Sequence, residues 1–467
     1  MFELSAPRTA IITFEDSREL VYQRRHSLVM EELNKIRAAL DGKVKLSLDV
    51  SIRQVGDIAK ALAMPGLHQA ESVILHVPTW VLPNVVVMTA RQVQKPLAVI
   101  TNERRDSAGL VGMLASAGGL DEVGLKHVRL IGDGLDPRIA GRLVRFCKAA
   151  SVVNRLRGTT YGLLGGRSLG MYTATADPAQ WQRDFGVDIE QVDQLEIVRR
   201  AEAIPADRVT SHVEWLTSRV GLVEYDDSRF TPAHLEKQVR CYIATKDLIA
   251  ERRLDFAGLK CQTEMSDGYV LQCLSAALLN DPYDAEGGKT PTPVACEADC
   301  DGALTMMLLH LLTLGQPTAL MDVKLFDRAA GLFSFSNCGG MATWFSNCSP
   351  VPEENLAQVH LRAHIFGEAG GGATQYVAAP GPVTLARMCR KNGRYWMAIV
   401  PGEAVTRERE ELRQVVWPWP HMFISTRMNL DEFFETFASN HMHVTKADVV
   451  DELKEICDLL GIEAKVY

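Results

Sequence analysis

Over the first third of the chain, short apolar runs alternate with stretches whose apolar residues recur at helical spacing. The runs are AIITF (10–14), VKLSLDV (44–50), SVILHVP (72–78), LAVIT (97–101) and HVRLI (127–131). Such βαβα order predicts a doubly wound, mostly parallel sheet that ends near Arg157. TYGLLGGRSLGM (160–171) then opens a second α/β unit, with helical patterns around 190–203, 207–217 and 231–252. FAGLKCQTEM (256–265) reads as a strand and loop, PVACEAD (293–299) as a short buried strand, 302–314 as a helix and TALMDV (318–323) as the next strand. Gly315 and Pro317 supply the helix stop. From about Ala330 the texture changes to short β-like runs: LFSFSN, QVHLRAHIFG, TQYVAAP, PVTLARMC, YWMAIVPG and HMFIST. Gly and Pro punctuate them, which predicts an antiparallel barrel or sandwich, closed by an amphipathic helix over Ala447–Leu460. The fold class expected is α/β: two doubly wound α/β domains (1–158 and 159–330) followed by a β-rich, barrel-like domain with a terminal helix (331–467).

Composition narrows the function. At 467 residues the chain exceeds one hydrophobic core, and 47% hydrophobic with 23% charged residues is ordinary for a globular protein. A net charge of −8 without any basic block argues against nucleic acid as a partner. The start, MFELSAPRTAIITFEDSREL, carries no signal-like core, and the apolar run 303–320 is broken by His310, Gln316 and Pro317. The expectation is therefore a cytoplasmic protein without a membrane span. Ten scattered cysteines read as reduced thiols, and Cys296 with Cys300 lacks the second pair that a zinc knuckle needs. The glycines at 162, 165, 166 and 170 miss the dinucleotide spacing. GGKT (287–290) has Tyr283 where a phosphate loop needs Gly, and Pro291 and Pro293 where it needs a helix.

The chemistry gathers around the 302–314 helix. Glu297, Asp299 and Asp301 precede it and Asp322 follows it. Acids favour a helix N-terminus, which accounts for Asp299 and Asp301. A strand–helix–strand crossover would make the flanking strands parallel, placing Glu297 and Asp322 at one sheet edge, about 4.8 Å apart if the strands are neighbours. Two such carboxylates repel unless a proton or a cation sits between them. His441 and His443, two residues apart in SNHMHV, share one face of a strand, so periodicity does not choose between them. His310, His360 and His364 read as structural.

Four segments carry a family resemblance: CEADCDGALTMMLLHLLTLGQPTALMDV, SNCGGMATWFSNCSP (336–350), PGPVTLARMCRKNGRYWMAIVPGE (380–403) and SNHMHV (439–444). They resemble, in order, segments of the L-fucose isomerase and L-arabinose isomerase superfamily. The likeness extends over the whole chain and is strongest across 256–446. It implies an aldose–ketose isomerase working through a cis-enediol, with Mn²⁺ or another divalent metal held by Glu297, Asp322 and His441. Glu297 and Asp322 would share the proton transfers. The Asn440–His441 setting favours His441 as the ligand. In the matching segments Lys260, Gln262, Glu264, Asn337, Trp344 and His443 are candidates for sugar contacts. The substrate expected is a pentose, a 6-deoxyhexose or a sugar with an anionic C6 group such as sulfoquinovose. The resemblance also implies a homo-oligomer, trimer or hexamer, whose pocket a neighbour's N-terminal domain completes. A sugar-binding regulator or transport component, and a metal-dependent hydrolase, are the alternatives.

Overall fold

The computed structural model describes residues 4–467. Strands β1 (Arg8–Phe14), β2 (Lys45–Ile52), β3 (Ser72–His76), β4 (Leu97–Thr101) and β5 (Val128–Ile131) form a parallel sheet in the order β2-β1-β3-β4-β5. Helices cover both faces, so the central strands read as unbroken apolar runs. Alternation sorts their side chains. Ala10, Ile12, Val73 and Leu75 pack with Val85 and Met113 on one side, while Ile11, Ile74 and Ile100 pack with Leu33 and Phe146 on the other. The chain forms two compact units. This first one comprises the described residues 4–155 together with 451–461, so the last helix, Val450–Leu460, belongs to it from Asp451 onward. Arg145 anchors that helix through Asp451 at 2.8 Å.

The second unit holds 156–450 and 462–467. Its parallel sheet comprises β6 (Thr160–Leu164), β7 (Asp188–Val192), β8 (Phe256–Leu259) and β9 (Val294–Cys296) in the order β9-β8-β6-β7. Helix α1 (Cys300–Leu312) follows β9 and is buried throughout, which explains its all-round apolar sequence.

The remaining strands are antiparallel: β10 (Ala319–Asp327), β11 (Leu332–Ser336), β12 (Gly381–Lys391), β13 (Arg394–Val405), β14 (His421–Ser425) and β15 (His441–Thr445). They pair in the order β12-β15-β10-β11-β14-β13, and β13 pairs back with β12, which closes a barrel. A final strand, β16 (Glu463–Val466), adds to β13 in parallel. Alternate residues from all six barrel strands fill the interior, among them Met321, Phe335, Leu385, Val400, Met422 and Met442. His360–Ala363 and Gly372–Gln375 do not join the barrel; they form a separate small sheet with Leu222–Glu224.

One expectation is overturned. The strand after α1 does not return to lie parallel beside β9. Instead β10 enters the barrel between β11 and β15, antiparallel to both. Local sequence specifies a strand but not its partner, and the apolar face of β10 finds a closed interior in the barrel. Among the described residues, no helix is long and apolar enough to cross a membrane.

Candidate metal and acid–base site

Glu297 leaves the edge of the parallel sheet in an uncommon conformation. Register pairs Cys296 with Leu259, so Glu297 emerges beside Lys260. Glu297 and Ala298 both adopt left-handed backbone, φ 59° and 50°. For residues with a Cβ this costs about 1–3 kcal/mol each, and such strain gathers at functional sites. The turn delivers Asp299 as the cap of α1, its Oδ1 accepting from Gly302 N at 3.0 Å. The helix then packs on the outer face of β12 and β15.

That packing brings three separated residues together. Asp322 and His441 are paired directly across β10 and β15, and so share the outer face. His441 Nε2 lies 3.4 Å from Glu297 Oε2 and 3.5 Å from Asp322 Oδ1. Its Nδ1 bonds to Asp299 Oδ2 at 2.8 Å. Asp299, fully buried, is also clasped by both terminal nitrogens of Arg387. Burial alone would raise its pKa, but Arg387 and His441 hold it well below the carboxylate range. Burial would likewise lower His441, yet the bonds to Asp299 and Glu297 push it up to about 10. Burial raises Asp322, with the Glu297 charge adding to the effect and His441 opposing it. Without a cation, the His441 imidazolium stands between the two site carboxylates and offsets their repulsion.

The donor set fits a divalent ion. His441 Nε2 is buried and has no partner in hydrogen-bonding geometry among the described residues, although two carboxylate oxygens approach it. Two carboxylates and one imidazole suit Mn²⁺ or a similar borderline cation. Asp299 on Nδ1 is the orienting partner that a ligating histidine normally has. Two other groups are less suited. Cys273, Cys338 and His364 bring ligand atoms within 4.8 Å of one another. However, His364 Nε2 bonds to the Cys338 carbonyl at 2.8 Å and Nδ1 accepts from Phe366 N at 2.9 Å, so both nitrogens are in use. His212, Asp284 and Glu286 stand among Arg208 and Lys246, which already neutralise the acids.

The other sequence candidates are placed as follows. Lys260 and Glu264 lie at the same sheet edge as Glu297 but pair with each other at 2.6 Å. Gln262 is half-buried there, its carbonyl accepting from Ser168 Oγ at 3.3 Å. Asn337 is buried and bridges the Leu320 carbonyl and Gly340 N. Trp344 sits on a single 3₁₀ turn, edge-on to Phe345, its backbone N donating to Asp281 at 2.9 Å. His443 is fully buried against Gly302 at the start of α1. Arg387 was not anticipated, nor was the role of Asp299 beyond the helix start. A lone arginine in the apolar run PVTLARMC was the available signal, because a buried guanidinium requires a buried acid. Asp301 uses the same device, pairing with Arg390 at 2.8 Å and Tyr395 Oη at 3.0 Å.

A parallel α/β layer whose edge meets a closed barrel, with two carboxylates and an imidazole converging at the junction, defines an α/β–barrel protein with a candidate cation site. Comparison with known proteins gives the family. The L-fucose isomerase first N-terminal domain matches residues 6–158, and the L-fucose isomerase C-terminal domain matches 335–467. A sulfoquinovose isomerase of Clostridium sp. (strain MSTE9) is 24% identical over 79% of this chain and 78% of its own length. One from Alkalicoccus urumqiensis is 24% identical over 71% and 70%. An L-fucose isomerase of Haemophilus influenzae (strain PittEE) is 25% identical over 58% and 52%. The chain belongs to the L-fucose isomerase family of sugar isomerases.

Proposed function

We propose that the protein interconverts an aldose and its ketose through a cis-enediol, using Glu297 and Asp322 as the proton-transferring acids beside a divalent metal, most suitably Mn²⁺. The observation that carries this reading is the convergence of Glu297, Asp322 and His441 Nε2. Isomerisation moves one proton between adjacent carbons and another between their oxygens. Two carboxylates from different strands suit that exchange, since one serves the carbon and the other the oxygen, and neither needs a redox cofactor. A bound divalent ion supplies Lewis acidity to the two neighbouring sugar oxygens.

The chain's residues do the rest. Glu297 and Asp322 with His441 would hold the cation. Asp299 keeps the His441 ring turned with Nε2 inward, and Arg387 keeps Asp299 ionised. In the metal-free protein, burial raises the proton affinity of Asp322, with His441 opposing it. The substrate is a monosaccharide. We also infer a homo-oligomer whose pocket a neighbour completes, and a cytoplasmic location, in keeping with ten cysteines that form no disulfide among the described residues.

Glu297→Gln keeps the shape and removes the charge. It is expected to lower ketose formation by about 10²–10⁴-fold, the usual contribution of such a group, with an unchanged circular dichroism spectrum. Near-normal turnover by this variant would defeat the assignment.

A further inference from the structure

The rung that carries His441 and Asp322 continues across the barrel. Asp322 is paired with Ser336, and Ser336 with His421. Directly opposed residues of an antiparallel ladder point to one face, and strands are about 4.8 Å apart. His441, Asp322, Ser336 and His421 therefore form one row on the outer face, while their sequence neighbours Met321, Phe335, Met422 and Met442 fill the interior. Ser336 and His421 are both 0% exposed. Neither Ser336 Oγ nor His421 Nε2 has a hydrogen-bond partner among the described residues. An unsatisfied buried polar group costs about 1–3 kcal/mol, a cost that a ligand would remove. His421 Nδ1 bonds to the Trp419 carbonyl at 3.0 Å, so that nitrogen carries the hydrogen and Nε2 presents a lone pair. Burial keeps the ring neutral. Such an atom accepts from a hydroxyl.

A cation stands beside this row. The ladder of β10 and β11 is interrupted between Val323 and Leu325, leaving Lys324 as an extra residue. Val323 packs against the interior cluster, so alternation returns Lys324 to the face of Asp322. Lys324 is exposed and within salt-bridge distance of no carboxylate among the described residues. Its Nζ lies 5.3 Å from the ring centre of Trp419. Trp419 is 4% exposed, and its indole N–H also has no partner among the described residues.

We propose that Ser336 and His421 hold the hydroxyls of the sugar beyond its reacting carbons, and that Lys324 with the Trp419 indole N–H selects a sugar whose far end is anionic. This rests on the isomerase reading above. The row runs outward from the metal-site carboxylate, and Lys324 is two residues along the same strand, about 6–7 Å from Asp322. A sugar bound through its first carbons at Asp322 thus extends toward a cation and an N–H donor. A sulfonate, a phosphate and a carboxylate share the chemistry that this pair recognises.

The test is steady-state ketose formation by the Mn²⁺-loaded protein with sulfoquinovose, glucose 6-phosphate, glucuronate, D-glucose and L-fucose. Wild type should prefer one of the first three, and its identity names the anion. Lys324→Gln should lower the preference for that sugar over the neutral ones by about tenfold or more, the loss of one charge-assisted contact, and Lys324→Arg should restore it. Ser336→Ala and His421→Gln should raise KM for anionic and neutral sugars alike. A wild-type preference for neutral sugars, or an unchanged preference in Lys324→Gln, would overturn the inference while leaving the isomerase reading intact. If wild type converts no aldose, the isomerase reading fails. Calorimetric binding of the same sugars to wild type and Lys324→Gln then decides the anion site by itself.

Discussion

Asp299 shows how much one side chain can settle. It caps α1, anchors Arg387 and fixes the His441 tautomer. Asp299→Asn keeps the cap and loses the charge, so Mn²⁺ affinity measured by calorimetry is expected to fall about 10–100-fold; an unchanged affinity would remove Asp299 from the site. His441→Ala should abolish Mn²⁺ binding. His443→Ala should retain it at a stability cost of about 1–3 kcal/mol, because His443 only packs behind the site. The reverse ranking in the same titration would move the ligand to His443. The pH dependence follows from His441. In the metal-free protein its pKa is raised from 6.5 to about 10, with burial opposing and the bonds to Asp299 and Glu297 prevailing. The folded state therefore binds this proton more tightly than the unfolded chain does. Its stabilisation is complete below about pH 6.5 and is lost as pH rises toward 10. Thermal melts of chelated wild type should fall across this window relative to His441→Gln, and parallel curves would refute the linkage. Metal binding must displace the same proton, so affinity should rise with pH.

At the scale of elements, the turn from β9 into α1 carries the strain. The Ala298 methyl is fully buried, worth about 0.8 kcal/mol, which is less than the cost of left-handed backbone at a residue with a Cβ, and Gly adopts that backbone freely. Ala298→Gly should therefore raise the denaturation midpoint by the equivalent of about 1 kcal/mol, and a lowered midpoint would show that the strain is absent. One turn later, a Cβ on Gly302 would come within 2.5 Å of His443 Nε2, 2.6 Å of Asp299 Oδ2 and 2.8 Å of the Arg387 guanidinium. Gly302→Ala is expected to cost about 1–3 kcal/mol and to weaken Mn²⁺ binding by displacing Asp299. Unaltered melting and binding would mean that these groups can give way. The elements themselves were legible. Every β-like run expected after residue 330 overlaps a strand, though TQYVAAP shares only its first two residues with one, because period-two patterning is local. Their partners were not, and β10 is the clearest case.

For the whole molecule, the chain passes from the first unit through the second, returns to the first for Asp451–Gly461, and ends in β16 on the barrel. If the family's chemistry operates here, chelation should abolish isomerisation and added Mn²⁺ should restore it. Saturation at about 100 times Kd should also stabilise the fold by about 2.7 kcal/mol, visible as a higher melting temperature. Full activity after chelation would exclude the metal mechanism. Light scattering at assay concentration should show a homo-oligomer, and a fully active monomer would refute the shared pocket.

The sequence by itself determined the alternation of strands and helices, the closing β-rich part, and the candidates Glu297, Asp322 and His441, through motifs and acids at the ends of an apolar helix. Only the tertiary structure decided why they meet. Glu297 and Asp322 come from different sheets, and their proximity depends on a buried helix docking on the outer face of a closed barrel. It also decided that Asp299 and Arg387 support His441, and that Ser336 and His421 extend the row with Lys324 beside it. Hydrophobic periodicity reports which face of an element is buried, not against what. Pairing across distant strands, bulge position and the neutralisation of buried charge are set by contacts between residues far apart in the chain.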